Sequence, residues 1–415
     1  SSGPSIIWPQ APPLVRCGST MVSAASIGGG GDGGGGDGGV PAGAAALDFE
    51  EVRSMPKIEL HAHLSGSIAQ TKLAELLERR GLGGTFAPFN WREDLRSPDF
   101  LAKAWGYFGS VAEVVTDLEA LRECALHVFD SFAAEACLYL ELRTTPKQFK
   151  IAAASQVEGG EPAYTTMSQY LETVEGAIEE FQSYSKKIFG FVMEIKLLLS
   201  VDRGRVNSRE EALAQIDGVL DMSRKYPGLV VGIDVCGNPS KASVVPHLIP
   251  ALLERKDAFA NLPITFHTGE TVNDEECELI MSSMAALNIR RLGHVCFFPD
   301  ACRRRVLAGG VHGDGGAVGI ELCPTSNLVL RELSRMEEHH FLDWWQKSDK
   351  VLLSINTDDV GLFSCTLSSE VHGLATAFGL TRQDLVEIQR QALRASFHPD
   401  KQRLIESFEA ALEAW

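Results

Sequence analysis

From residue 47 onward the chain alternates short β-rich apolar runs with longer stretches whose apolar residues recur at helical spacing, the pattern of an alternating α/β chain. Eight runs stand out, at residues 57–60, 138–142, 191–197, 229–234, 264–266, 290–293, 318–322 and 351–355. From the third onward their starts recur at roughly 25 to 40 residues, the length that one strand, one helix and two loops consume in a barrel of parallel strands. The pattern predicts an α/β fold of the (β/α)8 TIM-barrel type. The gap between the first two runs is far longer. Residues 65–137 hold several helical stretches, among them 68–80 with Ser65 as its N-cap, so extra helices inserted after strand 1 are expected over the barrel mouth.

Residues 1–46 break the pattern. Positions 28–39 are all glycine apart from Asp32 and Asp37, a composition that cannot offset its ordering entropy by burial. A disordered Gly-rich tail over 1–46 and one barrel-sized unit over 47–415 are therefore expected. The stretch before Met21, with one arginine and no acid, leaves an organellar address open. The formal net charge of −17 and the lack of a basic stripe argue against nucleic acid or an anionic membrane as partner. No apolar run approaches the roughly 18 residues needed to cross a bilayer. The nine cysteines form no C-x-x-C pair, which points to free thiols in a reducing compartment. A cytosolic monomer acting on a small molecule is the expectation.

In such a barrel, chemistry sits at the carboxyl ends of the strands and in the loops after them. His61 and His63 close the first run, and side chains at i and i+2 of a strand share a side, so the two can hold one ion. His267 and Glu270 follow the fifth run, His294 the sixth, and Asp358 and Asp359 the eighth. Each has a plainer use taken alone: a satisfied core histidine, a solvated loop acid, a turn aspartate. Together, three imidazoles and a carboxylate suit Zn²⁺ while leaving room for water, and one zinc per chain is expected. His294 is then placed to orient or deprotonate that water, and Glu270 to act as an acid toward substrate.

The segment Met55-Pro56-Lys57-Ile58-Glu59-Leu60-His61-Ala62-His63-Leu64 resembles the opening signature of the adenosine deaminase family. His267-Thr268-Gly269-Glu270, Arg291-Leu292-Gly293-His294, Cys323-Pro324-Thr325-Ser326-Asn327 and Asn356-Thr357-Asp358-Asp359 resemble its later blocks, in order, over residue 50 to the end. The resemblance implies His61, His63, His267 and Asp358 as zinc ligands, Glu270 as general acid to the purine ring nitrogen, His294 as the partner of the attacking water, and Asp359 as a residue holding nucleophile or base. It also implies that the Gly237 N–H meets the base and that His63 and Ser65 lie against substrate.

Within the family, the segments 139–147, 200–203 and 338–341 look most like the adenosine deaminase-like branch, the N6-methyl-AMP deaminases. That implies a purine nucleoside monophosphate as substrate, N6-methyl-AMP plus water giving IMP plus methylamine. Arg143, Thr144, Thr145, Pro146, Lys147, Asp202 and Arg203 then fall where the branch binds its nucleotide. The cations among them suit a phosphate, or else pair with the abundant carboxylates. Ser65 stands where the family has a carboxamide or acid, and no counterpart of its ligand-binding histidine appears in residues 101–115, where Gly106-Tyr107-Phe108 lies. Adenosine deaminase proper and a two-metal amidohydrolase remain as alternatives. For the latter, Lys196 is the nearest candidate for a bridging lysine.

Overall fold

The computed structural model describes residues 47–85, 88–94, 100–151, 163–312 and 315–415. Eight parallel strands follow one another around a barrel in chain order. They are β1 (Lys57–His63), β2 (Cys137–Thr144), β3 (Glu194–Asp202), β4 (Val230–Cys236), β5 (Ile264–Thr268), β6 (Ile289–His294), β7 (Val318–Leu322) and β8 (Val351–Ile355). The predicted (β/α)8 barrel is thus the observed one. The Gly-rich tail expected at 1–46 lies outside the described residues.

The helices between the strands carry the signals that start and stop them. Helix Met167–Phe189 opens on a capping box between Thr166 and Gln169 and ends at Gly190 with φ 86°. Helix Arg209–Lys225 starts at Ser208, whose Oγ accepts from Glu211 N at 3.2 Å, with acids in its first turn and Arg224 and Lys225 in its last. Their apolar faces pack on strands such as β4, buried along its whole length because helices cover one side and the barrel interior the other. Among the described residues no helix is long and apolar enough to cross a membrane, and the eight described cysteines are free and buried.

Strand ends differ from the pattern in one consistent way. Four of the predicted runs stop short where a histidine or arginine follows, yet these residues continue the strand: His61 and His63 lie inside β1, Arg143 inside β2, His267 inside β5 and His294 inside β6. The inserted layer is present as helices Gln70–Arg79, Phe100–Val114 and Leu118–Ala133. Ser65 does not cap the first of them. That helix starts at Gln70 with no side-chain cap on Ala69.

The barrel closes between β8 and β1 at a single bridge, Ala62 with Asp358. There Asp358 N donates to His61 O at 2.8 Å and His63 N to Asp358 O at 3.1 Å. Below it side chains take over the pairing: Leu60 N donates to Asn356 Oδ1 at 3.1 Å and Thr357 N to Glu59 Oε2 at 3.0 Å.

Candidate metal centre and active site

Three imidazole nitrogens converge at the carboxyl end of the barrel. The Nε2 atoms of His61 and His63 lie 3.1 and 3.2 Å from Nε2 of His267, and Asp358 Oδ1 lies 3.6 and 3.5 Å from the first two. His61 Nδ1 is 2.7 Å from Glu321 Oε2, and His267 Nδ1 is 3.0 Å from the Val235 carbonyl and 3.1 Å from Asp234 Oδ1. Both rings therefore carry their proton on Nδ1, and their Nε2 lone pairs face one another. Lone pairs aimed together repel unless a cation sits between them, so this donor set fits a divalent metal. His294 is adjacent, Nε2 at 3.9 Å from Asp358 Oδ2. Among the described residues, ligand atoms of His61, His267, His294 and Asp358 lie within 4.8 Å of one another, while His63 falls in a separate set with Asp234 and Cys236.

Electrostatics suit that role. Burial lowers His63 to about 3, keeping its ring neutral and free to ligate. Burial alone would raise Asp358, but the hydrogen bond to His61 and the neighbouring His294 and His63 hold it well below the ordinary carboxylate range. Burial, then the Asp358 and Glu270 charges, push Asp359 well above that range. Asp358 has φ 61° and His294 φ 64°, left-handed backbone that turns both side chains into the site.

The other residues expected at the substrate fall in β2, at the end of β3 and in the loops after β1 to β4. Ser65 is half-buried in the loop after β1, and Thr145, Pro146 and Lys147 are half-buried after β2. Thr144 is buried, its Oγ1 2.6 Å from the Tyr170 hydroxyl. Asp202 ends β3, accepts from Gly204 N at 2.9 Å and pairs with Arg205 at 3.1 Å. Gly237, at φ 103°, packs so close to Asp202 that a β-carbon would lie 2.1 Å from its Oδ1.

Two of the three cations expected at a phosphate are engaged elsewhere. Arg143 is fully buried inside the barrel, paired with Asp234 at 3.0 Å and with Glu321, and donating to Leu60 O at 3.1 Å. Arg203 is also buried. Its Nε donates to Gly237 O at 2.9 Å, and its Nη atoms pair with Glu270 and, at 3.3 Å, with Glu276. Charged groups buried this deeply need full pairing, and the carboxylates supply it. Lys147, the third, is half-buried in the loop after β2 near Arg205 and Asp202. Lys196 does not approach the site: it lies near the amino end of β3, bound to Gly228 O at 2.7 Å.

The adenosine deaminase family model matches residues 56–409, nearly the whole described chain. The chain belongs to the adenosine deaminase family. The Arabidopsis thaliana N6-mAMP deaminase is 32% identical over 87% of this chain and 98% of its own length. The solved ADAL–IMP complex is 30% identical, covers 89% of this chain and all of that one, and superposes with a TM-score of 0.69. The Arabidopsis ADAL complex with GMP gives 0.68 at 30% identity, over 87% of this chain and 98% of that one.

As a member of the adenosine deaminase family the chain is a hydrolytic deaminase, and its site includes residues that motif reading did not single out. Glu321, Asp234, Glu141 and Arg291 form with Arg143 a buried ionic lattice under the metal-facing histidines, Arg291 bonding Glu141 and Glu321 at 2.6 Å each. A usable signal was present for Glu141, Arg291 and Glu321: each is an ionisable residue inside a predicted strand, a place that tolerates charge only when paired. Tyr107, near the family's missing histidine, instead donates its hydroxyl to the carbonyls of Ile68 at 2.7 Å and Gly66 at 3.1 Å, tying the inserted helices to the loop after β1.

Proposed function

We propose that this chain is a zinc-dependent hydrolytic deaminase of N6-substituted purine nucleoside monophosphates, converting N6-methyl-AMP and water to IMP and methylamine. The observation that carries the reading is the convergence of three imidazoles and Asp358, two of the rings with Nδ1 against buried acceptors, at the same barrel mouth as Glu270. His61, His63, His267 and Asp358 are the proposed ligands. A zinc ion held by them supplies the acidity that readies a water molecule for attack near neutral pH.

The other residues handle protons and position. Glu270 delivers a proton to the ring nitrogen beside the attacked carbon as aromaticity is lost. Asp359 and His294 hold the attacking oxygen on one face, and the Gly237 N–H fixes the base opposite. The C6–N6 bond then breaks as the water's two protons pass one to the departing amine and one back to Glu270, and methylamine leaves. Nucleotides bound in the solved relatives at about 30% identity support the monophosphate class. Lys147, with Thr144, Thr145 and Pro146 after β2 and Asp202 after β3, forms the proposed nucleotide side.

Product analysis on N6-methyl-AMP, AMP and adenosine tests the proposal. The expected result is IMP and methylamine from the first and little turnover of the last, with Glu270→Gln inactive but still holding one zinc. Preference for adenosine overturns the substrate class, and a Glu270→Gln variant with full turnover overturns the proton route.

A further inference from the structure

His294 sits in the same cluster as His61 and His267, yet the groups facing its Nδ1 are of the opposite kind. Asn327 Nδ2 lies 3.0 Å from His294 Nδ1, while Asn327 Oδ1 lies 3.2 Å from the Cys323 backbone nitrogen and 3.1 Å from His339 Nε2. The Cys323 N–H is a donor and nothing else, which fixes the amide's oxygen on that side. His339 must then donate from Nε2, and the Asn327 NH₂ must donate to His294. His294 Nδ1 is therefore an acceptor without a proton, and the neutral ring carries its hydrogen on Nε2, facing Asp358 and the site.

The backbone is held as firmly. His294 and Val295 both have left-handed φ, 64° and 47°, and His340 Nε2 donates to the His294 carbonyl at 2.8 Å. His339 and His340 stack with ring centroids 4.4 Å apart, so one buried pair clamps the carbonyl of His294 directly and its ring through Asn327.

We infer that Asn327 and His339 are positioning residues that fix His294 as its Nε2–H tautomer, which makes His294 a hydrogen-bond donor to the attacking oxygen and excludes it from the metal's ligands. The compact set of His61, His267, His294 and Asp358 then loses a member to tautomer chemistry, and His63 takes its place. A ring whose Nε2 bears a proton cannot ligate through it, nor take a proton from water there. The inference rests on the deaminase reading for its substrate, but the tautomer itself is read without turnover.

Long-range proton–nitrogen correlation on protein labelled with ¹⁵N-histidine, with and without added zinc, tests it directly, His294 being assigned from the spectrum of His294→Gln. A bare Nδ1 and protonated Nε2 in both samples is the expected result; a protonated Nδ1, or an Nε2 that loses its proton to zinc, overturns the inference. In turnover, Asn327→Asp places an acceptor at Nδ1 and inverts the tautomer, with an expected fall in kcat of about 10²- to 10³-fold, the effect of losing one well-placed donor, at unchanged KM and zinc content. His339→Gln retains a donor for Asn327 and restores the activity that His339→Phe loses. Equal kcat for those two variants, or wild-type kcat in Asn327→Asp, also overturns it. A wild-type protein with the predicted tautomer and no turnover of any purine would sink the deaminase reading alone.

Discussion

Gly66 lies against the carboxylate of Asp359 so closely that a β-carbon at Gly66 would stand 1.5 Å from Oδ1. The loop after β1 and the loop after β8 are locked together here. Gly361 N donates to Gly66 O at 2.8 Å, and Tyr107 holds Gly66 O and Ile68 O from the inserted helix. Asp359 Oδ1 is buried and has no hydrogen-bond partner among the described residues, so it is held by shape and is free to meet a ligand. Gly66→Ala is expected to push the carboxylate aside by about an ångström and to lower kcat by roughly 10²-fold, the cost of such a misplacement at a reacting centre. Steady-state kinetics alongside zinc analysis checks this; a variant with normal kcat would mean that Asp359 needs no fixed position.

Arg143 bridges Asp234 and Glu321, the carboxylates that anchor Nδ1 of His267 and His61. Arg143→Met strips Asp234 of its guanidinium partner and leaves Glu321 with Arg291 alone, and breaking a buried pair in this way costs about 3–5 kcal/mol. Loss of the outer anchors on metal-facing histidines weakens metal binding by roughly 10–100-fold. Urea unfolding of the metal-free protein and zinc titration of the folded protein measure the two effects separately. An Arg143→Met variant of normal stability that merely raises KM for a nucleotide would return Arg143 to the phosphate.

The burial of Arg143 among carboxylates, one of the two readings its sequence position left open, shows where the sequence runs out. Strand count, order and barrel closure are legible because eight apolar runs at regular spacing admit few other folds, and the site residues fall at the strand ends as parallel topology requires. Partners are not legible. Arg143 and Lys147 stand four residues apart, one inside the strand and one beyond it, and only the register of β2 decides which faces the sealed interior. The same holds for Ser65, whose spacing fits an N-cap although the chain makes one more turn to bring Gly66 beneath Asp359. Asn327 and His339 lay in motifs already noted, but the direction of an amide cannot be read without the Cys323 N–H that fixes it.

Glu370 supplies a pH signature away from the metal. Burial raises it to about 7, against two hydrogen bonds from Thr325 N and Oγ1 at 2.6 Å each. Between an unfolded value near 4.5 and about 7 the native state keeps a proton that the unfolded state has lost, so stability falls as pH rises through this window. The full effect is about 3 kcal/mol at most, present below the unfolded value and gone above about 7. Glu370→Gln keeps both bonds to Thr325 and removes the titration. In urea midpoints compared at pH 5 and 7.5, wild type should lose ground to the variant as pH rises. A constant difference between the two proteins would show that Glu370 does not titrate in this window.

Arg203 and Lys147 make opposite predictions, because among the described residues the first cation is paired with carboxylates and the second forms no ion pair. The Arg203 guanidinium joins Gly237 O, Glu270 and Glu276, spanning the groups proposed to hold the base and to protonate it. A lysine carries the charge but only one point of contact, so Arg203→Lys lets Gly237 and Glu270 drift. It should lower kcat by about 10²-fold for N6-methyl-AMP and N6-methyladenosine alike, since misplacement of the proton donor is felt whether or not a phosphate is present. Lys147 is half-buried beside Arg205 and Asp202, and burial lowers its pKa. Lys147→Ala should raise KM for the monophosphate by roughly tenfold or more, the worth of one charge-assisted hydrogen bond, and leave the nucleoside unaffected. Measured as a pair on the two substrates, the variants separate a residue that aligns the reaction from one that selects the nucleotide; the reverse assignment of effects would place Arg203 on the phosphate and Lys147 in the scaffold.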